Sequence, residues 1–233
     1  MKRLLVLICM FGLMVGIASA SLLEMEITDG TNTALINSAG SLVTTGSASG
    51  TDLVLPGSEI FAGTVGNYVL NIDTATGSPV LKLGSLKLTA QDTSGPVSGP
   101  LTIEFSENGI TTPFPGWNMA FGGSWTAFAK GDNATLTAYE DNGNGFFATT
   151  NTIGTIGPLS PNALGDYSGD KSGGVLGVTA PYSLTEQISI SATGSASFGG
   201  DASLTPVPEP AGIMLLGAGL LALGMLRRRM VKQ

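Results

Sequence analysis

Between residues 21 and 205 apolar and polar residues alternate one for one in short runs, and no amphipathic pattern long enough for a helix interrupts them. Leu23, Met25 and Ile27 alternate with Glu24 and Glu26 before an Asp29-Gly30 turn. Tyr68, Leu70 and Ile72 follow Gly66-Asn67, and two lysines, Lys82 and Lys87, sit between leucines in the run 80–89. Leu101, Ile103 and Phe105 repeat the pattern, as do Leu136 and Ala138 within Thr135–Tyr139, and Ile188 with Ile190. A period of two lets a strand bury one face and solvate the other, which is how antiparallel sheets are built. The expected fold is therefore all-β, an antiparallel β-sandwich of roughly ten strands separated by Gly, Asn, Asp, Ser and Pro turns.

About 185 residues between Ser21 and Thr205 suffice for one such domain with a sizeable core. Two stretches rich in Gly, Ser and Thr, Ser38–Gly50 and Gly154–Gly174, are open to a second reading as loose linkers.

Both ends of the chain depart from this texture. Lys2 and Arg3 precede an apolar stretch from Leu4 to Ile17, and Ala18-Ser19-Ala20 supplies the small residues of a signal-peptidase site. Residues 1–20 are thus expected to form a signal helix, used by the Sec machinery and removed before Ser21. Cys9 lies inside the apolar stretch, without the small residues of a lipidation site before it. At the other end, Pro208, Glu209 and Pro210 block a continuing strand or helix. An unbroken apolar run, Ala211–Leu226, follows, and Arg227, Arg228 and Arg229 close it. Sixteen residues at about 1.5 Å each span roughly 24 Å, short of a hydrocarbon core of about 30 Å. Snorkelling arginines and local thinning absorb that mismatch. The expectation is one C-terminal transmembrane helix over 211–226 in the inner membrane, with a basic cytoplasmic tail over 227–233.

This tail, with Val-Pro-Glu-Pro followed by a Gly/Ala/Leu helix and an arginine cluster, resembles the PEP-CTERM sorting signal of Gram-negative bacteria. The resemblance implies that residues 206–233 direct an exported precursor to exosortase, a membrane-embedded cysteine protease. Pro208, Glu209 and Pro210, within the motif at residues 206–210, would be its recognition element. It implies delivery to the cell surface or an exopolysaccharide matrix, and it carries no activity for residues 21–205. That middle segment, including Thr28–Asn32 and Pro181–Glu186, is similar to an ectodomain that recurs on PEP-CTERM proteins, which implies one β-rich domain.

Without its two ends the chain keeps only Lys82, Lys87, Lys130 and Lys171 as cations, while all 17 acidic residues fall between Glu24 and Glu209. Four against seventeen leaves −13, a charge that phosphate backbones and anionic headgroups repel, which argues against nucleic acid as a partner. The chain has no histidine, and its one cysteine is Cys9. A Ser-His-Asp triad, a cysteine nucleophile and a histidine-bearing zinc site are thereby excluded from the exported segment. A carboxylate pair, a Ser-Lys arrangement and oxygen ligation of calcium remain.

Three constellations bear on those options. Glu140, Asn142, Asn144 and Gly145 occupy positions one, three, five and six of a calcium loop, but Asn151 stands where a bidentate Glu is required. An Asn-Gly hairpin turn between Tyr139 and Phe146 is the reading we favour. Phe114, Trp117, Phe121, Trp125 and Phe128 form an aromatic cluster. Core packing is favoured for it, and stacking of Trp117 or Trp125 on a sugar ring is the alternative. Asp166 and Asp170 are two carboxylates in a Gly-rich stretch, read here as a solvated loop. Asn133-Ala134-Thr135 matches a glycosylation acceptor, and the threonine pairs Thr31/Thr33 and Thr135/Thr137 extend into no regular array along the sequence. The functional expectation is an exported structural or adhesive protein of the envelope or biofilm matrix, not an enzyme and without a cofactor. A carbohydrate- or calcium-binding module is the alternative, and a glycan-active enzyme stands behind it.

Overall fold

A computed structural model describes residues 21–55, 58–76, 81–90, 99–112, 114, 116–174 and 177–207. The expected signal helix and transmembrane helix lie outside these residues. The described chain forms fourteen strands: β1 (Leu22–Thr28), β2 (Thr33–Asn37), β3 (Ser41–Thr45), β4 (Ser49–Leu55), β5 (Ser58–Val65), β6 (Tyr68–Thr76), β7 (Leu81–Ala90), β8 (Leu101–Ile110), β9 (Trp117–Ala127), β10 (Asn133–Asp141), β11 (Asn151–Leu159), β12 (Asp166–Gly173), β13 (Tyr182–Ser191) and β14 (Ala196–Pro206). They pair antiparallel in two seven-stranded sheets, ordered β11-β10-β13-β8-β1-β2-β3 and β12-β9-β14-β7-β6-β5-β4.

The alternation in the sequence is what builds the core. Leu23, Met25 and Ile27 point between the sheets from β1, while Glu24 and Glu26 point out. Leu101, Ile103 and Phe105 do the same from β8, and Leu136 and Ala138 from β10. The Asp29-Gly30 turn is closed by its own aspartate. Asp29 Oδ1 accepts hydrogen bonds from the Thr31 and Asn32 amides, and Oδ2 from Asn32 Nδ2. Partial burial pushes this carboxyl up, but those donors outweigh it and hold it below the usual carboxylate range.

Strand order then defines the topology. β7 pairs with β14, β8 with β13, β9 with β12, and β10 with β11. The segment from β7 to β14 is thus one long antiparallel ribbon folded back between β10 and β11. The ribbon is rolled so that β9 also meets β14 and β10 also meets β13. Two four-stranded layers from one rolled ribbon make a jelly roll. The meander β1–β3 extends one layer beside β8, and β4–β6 extends the other beside β7.

The count of roughly ten strands falls short of the fourteen found, and the linker reading is overturned. Ser38–Gly50 contains β3 and the start of β4, and Gly154–Gly174 contains most of β11 and all of β12. Both segments are held through backbone ladders to β2, β5, β10 and β9. Ladder bonds use no side chain, so small polar residues form them as well as apolar ones do.

With fourteen strands alternating in direction, the chain ends where it began. Leu22 pairs with Asn108 near the end of β8, and Pro206 pairs with Trp117 at the start of β9. Both ends of the domain therefore emerge from one end of the sandwich.

Candidate functional site

The last strand leads straight into the sorting tail. Pro206 is still in register with Trp117, and the Val207 amide donates to the Gly116 carbonyl at 2.9 Å. Ala18, Ala20, Pro208, Glu209, Pro210, Arg227, Arg228 and Arg229, the expected processing and sorting residues, lie outside the described residues.

β9 positions both tryptophans, and it corrects the sugar-stacking alternative. Trp117, Met119, Phe121 and Trp125 all occupy odd-numbered positions of one strand and so share its inner face. Trp117 is 6% exposed and Trp125 2%, so neither ring offers a face to a ligand. Trp125 instead packs edge-on against Phe198 at 4.9 Å, which stacks on Tyr167 at 5.2 Å, and Tyr167 meets Phe121 at 5.3 Å. The Tyr167 hydroxyl donates to the Gly199 carbonyl at 3.3 Å and fits beside Gly123 and Gly200, where a Cβ would collide with it. Burial raises the Tyr167 phenol well above its ordinary range, and nearby Asp201 adds to this.

The outer face of the same strands carries a shallow groove of about 280 Å³. Ala120 and Gly122 of β9 form its floor, Ser168 and Gly169 of β12 one wall, and Asp201 and Ser203 of β14 the other. The rows are set by register: Ser168, Gly122 and Asp201 lie side by side, as do Asp170, Ala120 and Ser203. Small residues on the middle strand and hydroxyls and carboxylates on its neighbours make a trough that can accept hydrogen bonds from a polyhydroxylated ligand.

Asp166 and Asp170 lie on β12 and not in a loop, both exposed and four residues apart on one face. Four strand steps separate their Cα atoms by roughly 13 Å. The two carboxylates of a glycosidase sit about 5 to 9.5 Å apart, so this pair does not meet that geometry. Asn133-Ala134-Thr135 likewise falls inside β10, between two paired strands.

The most unusual side chains are inside. Glu107, Glu140 and Glu186 project between the sheets from β8, β10 and β13. Glu107 and Glu140 both stand opposite Leu184, and Glu186 is the next inward residue along β13. Glu186 is 1% exposed, and neither carboxylate oxygen has a hydrogen-bond partner. Burial alone raises its pKa well above the ordinary value. Glu140 is also raised, by burial, against the opposing hydrogen bond from the Gly177 amide. Tyr182 rises through burial and the nearby Glu140 and Glu107 carboxylates, and its hydroxyl donates to the Thr112 carbonyl at 2.8 Å. On the other sheet, Glu59 is 1% exposed with both oxygens unpartnered. Burial, helped by Glu24 and Asp52, pushes it up to about 8. The sequence does hold a signal for these residues. Each falls in phase with inward neighbours: Leu101, Ile103, Phe105 and Glu107; Tyr182, Leu184, Glu186, Ile188 and Ile190; Leu136, Ala138 and Glu140.

The Glu140–Gly145 stretch does not assemble as a calcium loop. Glu140 points into the core, Asn142 Oδ1 accepts from the Thr179 amide at 2.7 Å, and Asn144 Oδ1 from the Gly109 amide at 2.6 Å. Asp141, between them, takes the Thr150 hydroxyl and the Gly145 amide, and the first of these does most to lower its pKa. Among the described residues no three His, Cys, Asp or Glu side chains are placed to hold a metal ion. The Asn142-Gly143 turn is present, closed by the Asn144 amide on the Asp141 carbonyl at 3.2 Å, but no strand follows it directly: β11 starts only at Asn151, and residues 142–150 fold over β8 and β13. There the Phe147 amide donates to Ser106 Oγ and Ser183 Oγ donates to the Gly145 carbonyl.

No curated protein matches the chain in sequence. Among solved structures, the enzymatically active domain of bacteriophage CBA120 tailspike protein 4 is 13% identical at a TM-score of 0.32, over 60% of this chain and 19% of that one. TmCBM61, in complex with beta-1,4-galactotriose, is 12% identical at 0.30, over 60% of this chain and 88% of that one. The mannan-recognising carbohydrate-binding module TmCBM27 is 8% identical at 0.29, over 68% and 89%. Scores this low carry neither ligand nor activity to this chain. The tail gives a defined match: the chain carries a PEP-CTERM protein-sorting motif over residues 206–229, which starts on the last residue of β14 and implies an exported precursor sorted by exosortase.

Proposed function

We propose that this protein is a structural or adhesive component of the cell envelope or biofilm matrix, not an enzyme. A cleaved signal peptide would export it, and the C-terminal helix would hold it in the inner membrane. Exosortase would then process it near Pro208-Glu209-Pro210 for the cell surface or an exopolysaccharide matrix. The observation that carries this reading is the junction at Pro206, where one continuous sandwich ends and the sorting motif begins. The strands before the motif form a single layered body that turns Glu24 and Glu26 outward on one sheet and Asp166, Asp170 and Asp201 outward on the other, suited to a module in a hydrated matrix. Replacing Pro208, Glu209 and Pro210 with Ala and fractionating cells tests it. The wild-type protein is expected outside the inner membrane and the variant within it. Identical distributions for both would contradict the reading.

The groove over β9 supports a second reading, a saccharide-binding module that uses Ser168, Asp201 and Ser203 in place of tryptophans. Calorimetry against matrix polysaccharide, with Gly122→Trp filling the trough, tests this. Loss of binding in the variant supports it, and equal heats contradict it.

A further inference from the structure

The two ends of the sandwich differ in charge. At the end where β14 finishes, the described connecting residues are 37–41, 110–112, 114, 116–117, 141–151, 173–174 and 177–182. Together they carry one charged residue, Asp141. The opposite end carries Asp29, Lys130, Asp132 and Asp166 in its described connections. In a segment whose acids outnumber its lysines by seventeen to four, a nearly uncharged end is a marked departure.

That end is also the one from which the tail leaves. Val207 is tied to Gly116 by a backbone hydrogen bond, and the apolar run starts at Ala211. Four residue steps, even fully extended, reach only about 14 Å. No linker separates the folded body from the anchor, so the end carrying Gly116 and Val207 is held next to the headgroups. An acidic surface there would be repelled by anionic lipid, and an end with only Asp141 is not. Asp141 itself, on the outward face of β10, accepts hydrogen bonds from the Thr150 hydroxyl and the Gly145 amide.

We propose that this uncharged end is a membrane-facing surface that lies against the bilayer while the tail anchors the precursor. The inference rests on reading residues 211–226 as a membrane anchor. It adds an orientation: the groove over β9 stands upright beside the membrane and the charged end points away. The chain's one cysteine, Cys9, lies in the signal segment, so single thiols can be placed freely.

The test uses the full chain with Pro208, Glu209 and Pro210 replaced by Ala, in a Cys9→Ala background. Thr111→Cys, Thr149→Cys and Thr179→Cys mark the membrane end, and Thr31→Cys and Leu164→Cys the far end; all five positions are exposed. Each is labelled with a fluorophore and reconstituted into phosphatidylethanolamine and phosphatidylglycerol vesicles that contain a headgroup-nitroxide lipid. Quenching is expected to be several-fold stronger at the first three positions. A Gly/Ser insertion of about 20 residues after Val207, with ends averaging roughly 25 Å apart, should reduce that difference. Equal quenching at both ends of a vesicle-bound chain overturns the orientation alone. A chain that fails to float with vesicles overturns the anchor reading and the orientation with it.

Discussion

Glu186 sits among Phe105, Ala138 and its inward neighbours on β13 with no hydrogen-bond partner for either oxygen. A buried carboxylate in that state is held protonated, and ionising it is what the fold resists. Because Glu186, Glu140 and Glu59 all titrate higher in the folded protein than the ordinary value of 4.5, the folded state holds their protons longer than the unfolded chain does. Their contribution is fully present below pH 4.5 and is lost as pH rises, through about 8 for Glu59. Asp29 and Asp141 act in the opposite sense, since their lowered values remove stability below the ordinary 3.8. Thermal melts should therefore show a maximum at mildly acidic pH and a decline toward pH 8; a melting temperature that climbs over that interval would contradict this. Glu186→Met removes the buried carboxyl at similar volume and should stabilise the protein at pH 8 by about 2 kcal/mol, a rise of roughly 4–8 °C. A drop would show that the carboxyl has a partner in solution. At Gly123 an added Cβ would strike the Gly199 carbonyl and the Gly200 Cα, so Gly123→Ala should cost about 1–3 kcal/mol in denaturant unfolding.

At the level of strands, much was legible in the sequence because period-two alternation states which side chains turn inward. That rule fits Met25, Phe105 and Leu136; the core expectation for the aromatic cluster rests instead on the area an aromatic ring buries, and it holds for Trp117 and Trp125 but not for Phe128, which is 42% exposed just past the end of β9. The alternation rule failed where strands carry little apolar content. β3 and β12 have no clear inward row, and only their ladders to β2 and β9 make them strands. The buried glutamates were overlooked because charge was given more weight than phase. Register was beyond reach altogether. Thr135, Ser189, Thr102, Thr28, Thr33 and Thr45 form a row of hydroxyl residues across six strands, yet they are scattered through the sequence. Two predictions belong at this scale. Trp125→Ala should destabilise the domain by about 3–5 kcal/mol through its loss from the Phe198 and Tyr167 stack, while leaving any saccharide heat unchanged once the protein is folded. Millimolar calcium should leave the melting temperature unaltered, because the oxygens of Asn142 and Asn144 already serve the Thr179 and Gly109 amides. A clear calcium-dependent rise would show those bonds exchanging for a metal.

For the molecule as a whole, the rolled ribbon explains how a chain with Gly-rich, weakly patterned segments still closes into one body. Pairs such as β7 with β14 bring residues more than a hundred positions apart into register, and no local pattern in the sequence encodes that. The same closure brings both ends of the domain to one end of the sandwich and places the sorting motif directly behind a strand that lies between two others in its sheet. A cut within Pro208–Ala211 would leave every strand intact, so the mature product should melt at the same temperature as the precursor's domain. The most direct test of the account is the intact mass of the protein recovered from its native host. The recovered chain is expected to begin at Ser21 and to end between Pro208 and Ala211. A recovered chain that still carries Arg227, Arg228 and Arg229 would contradict it.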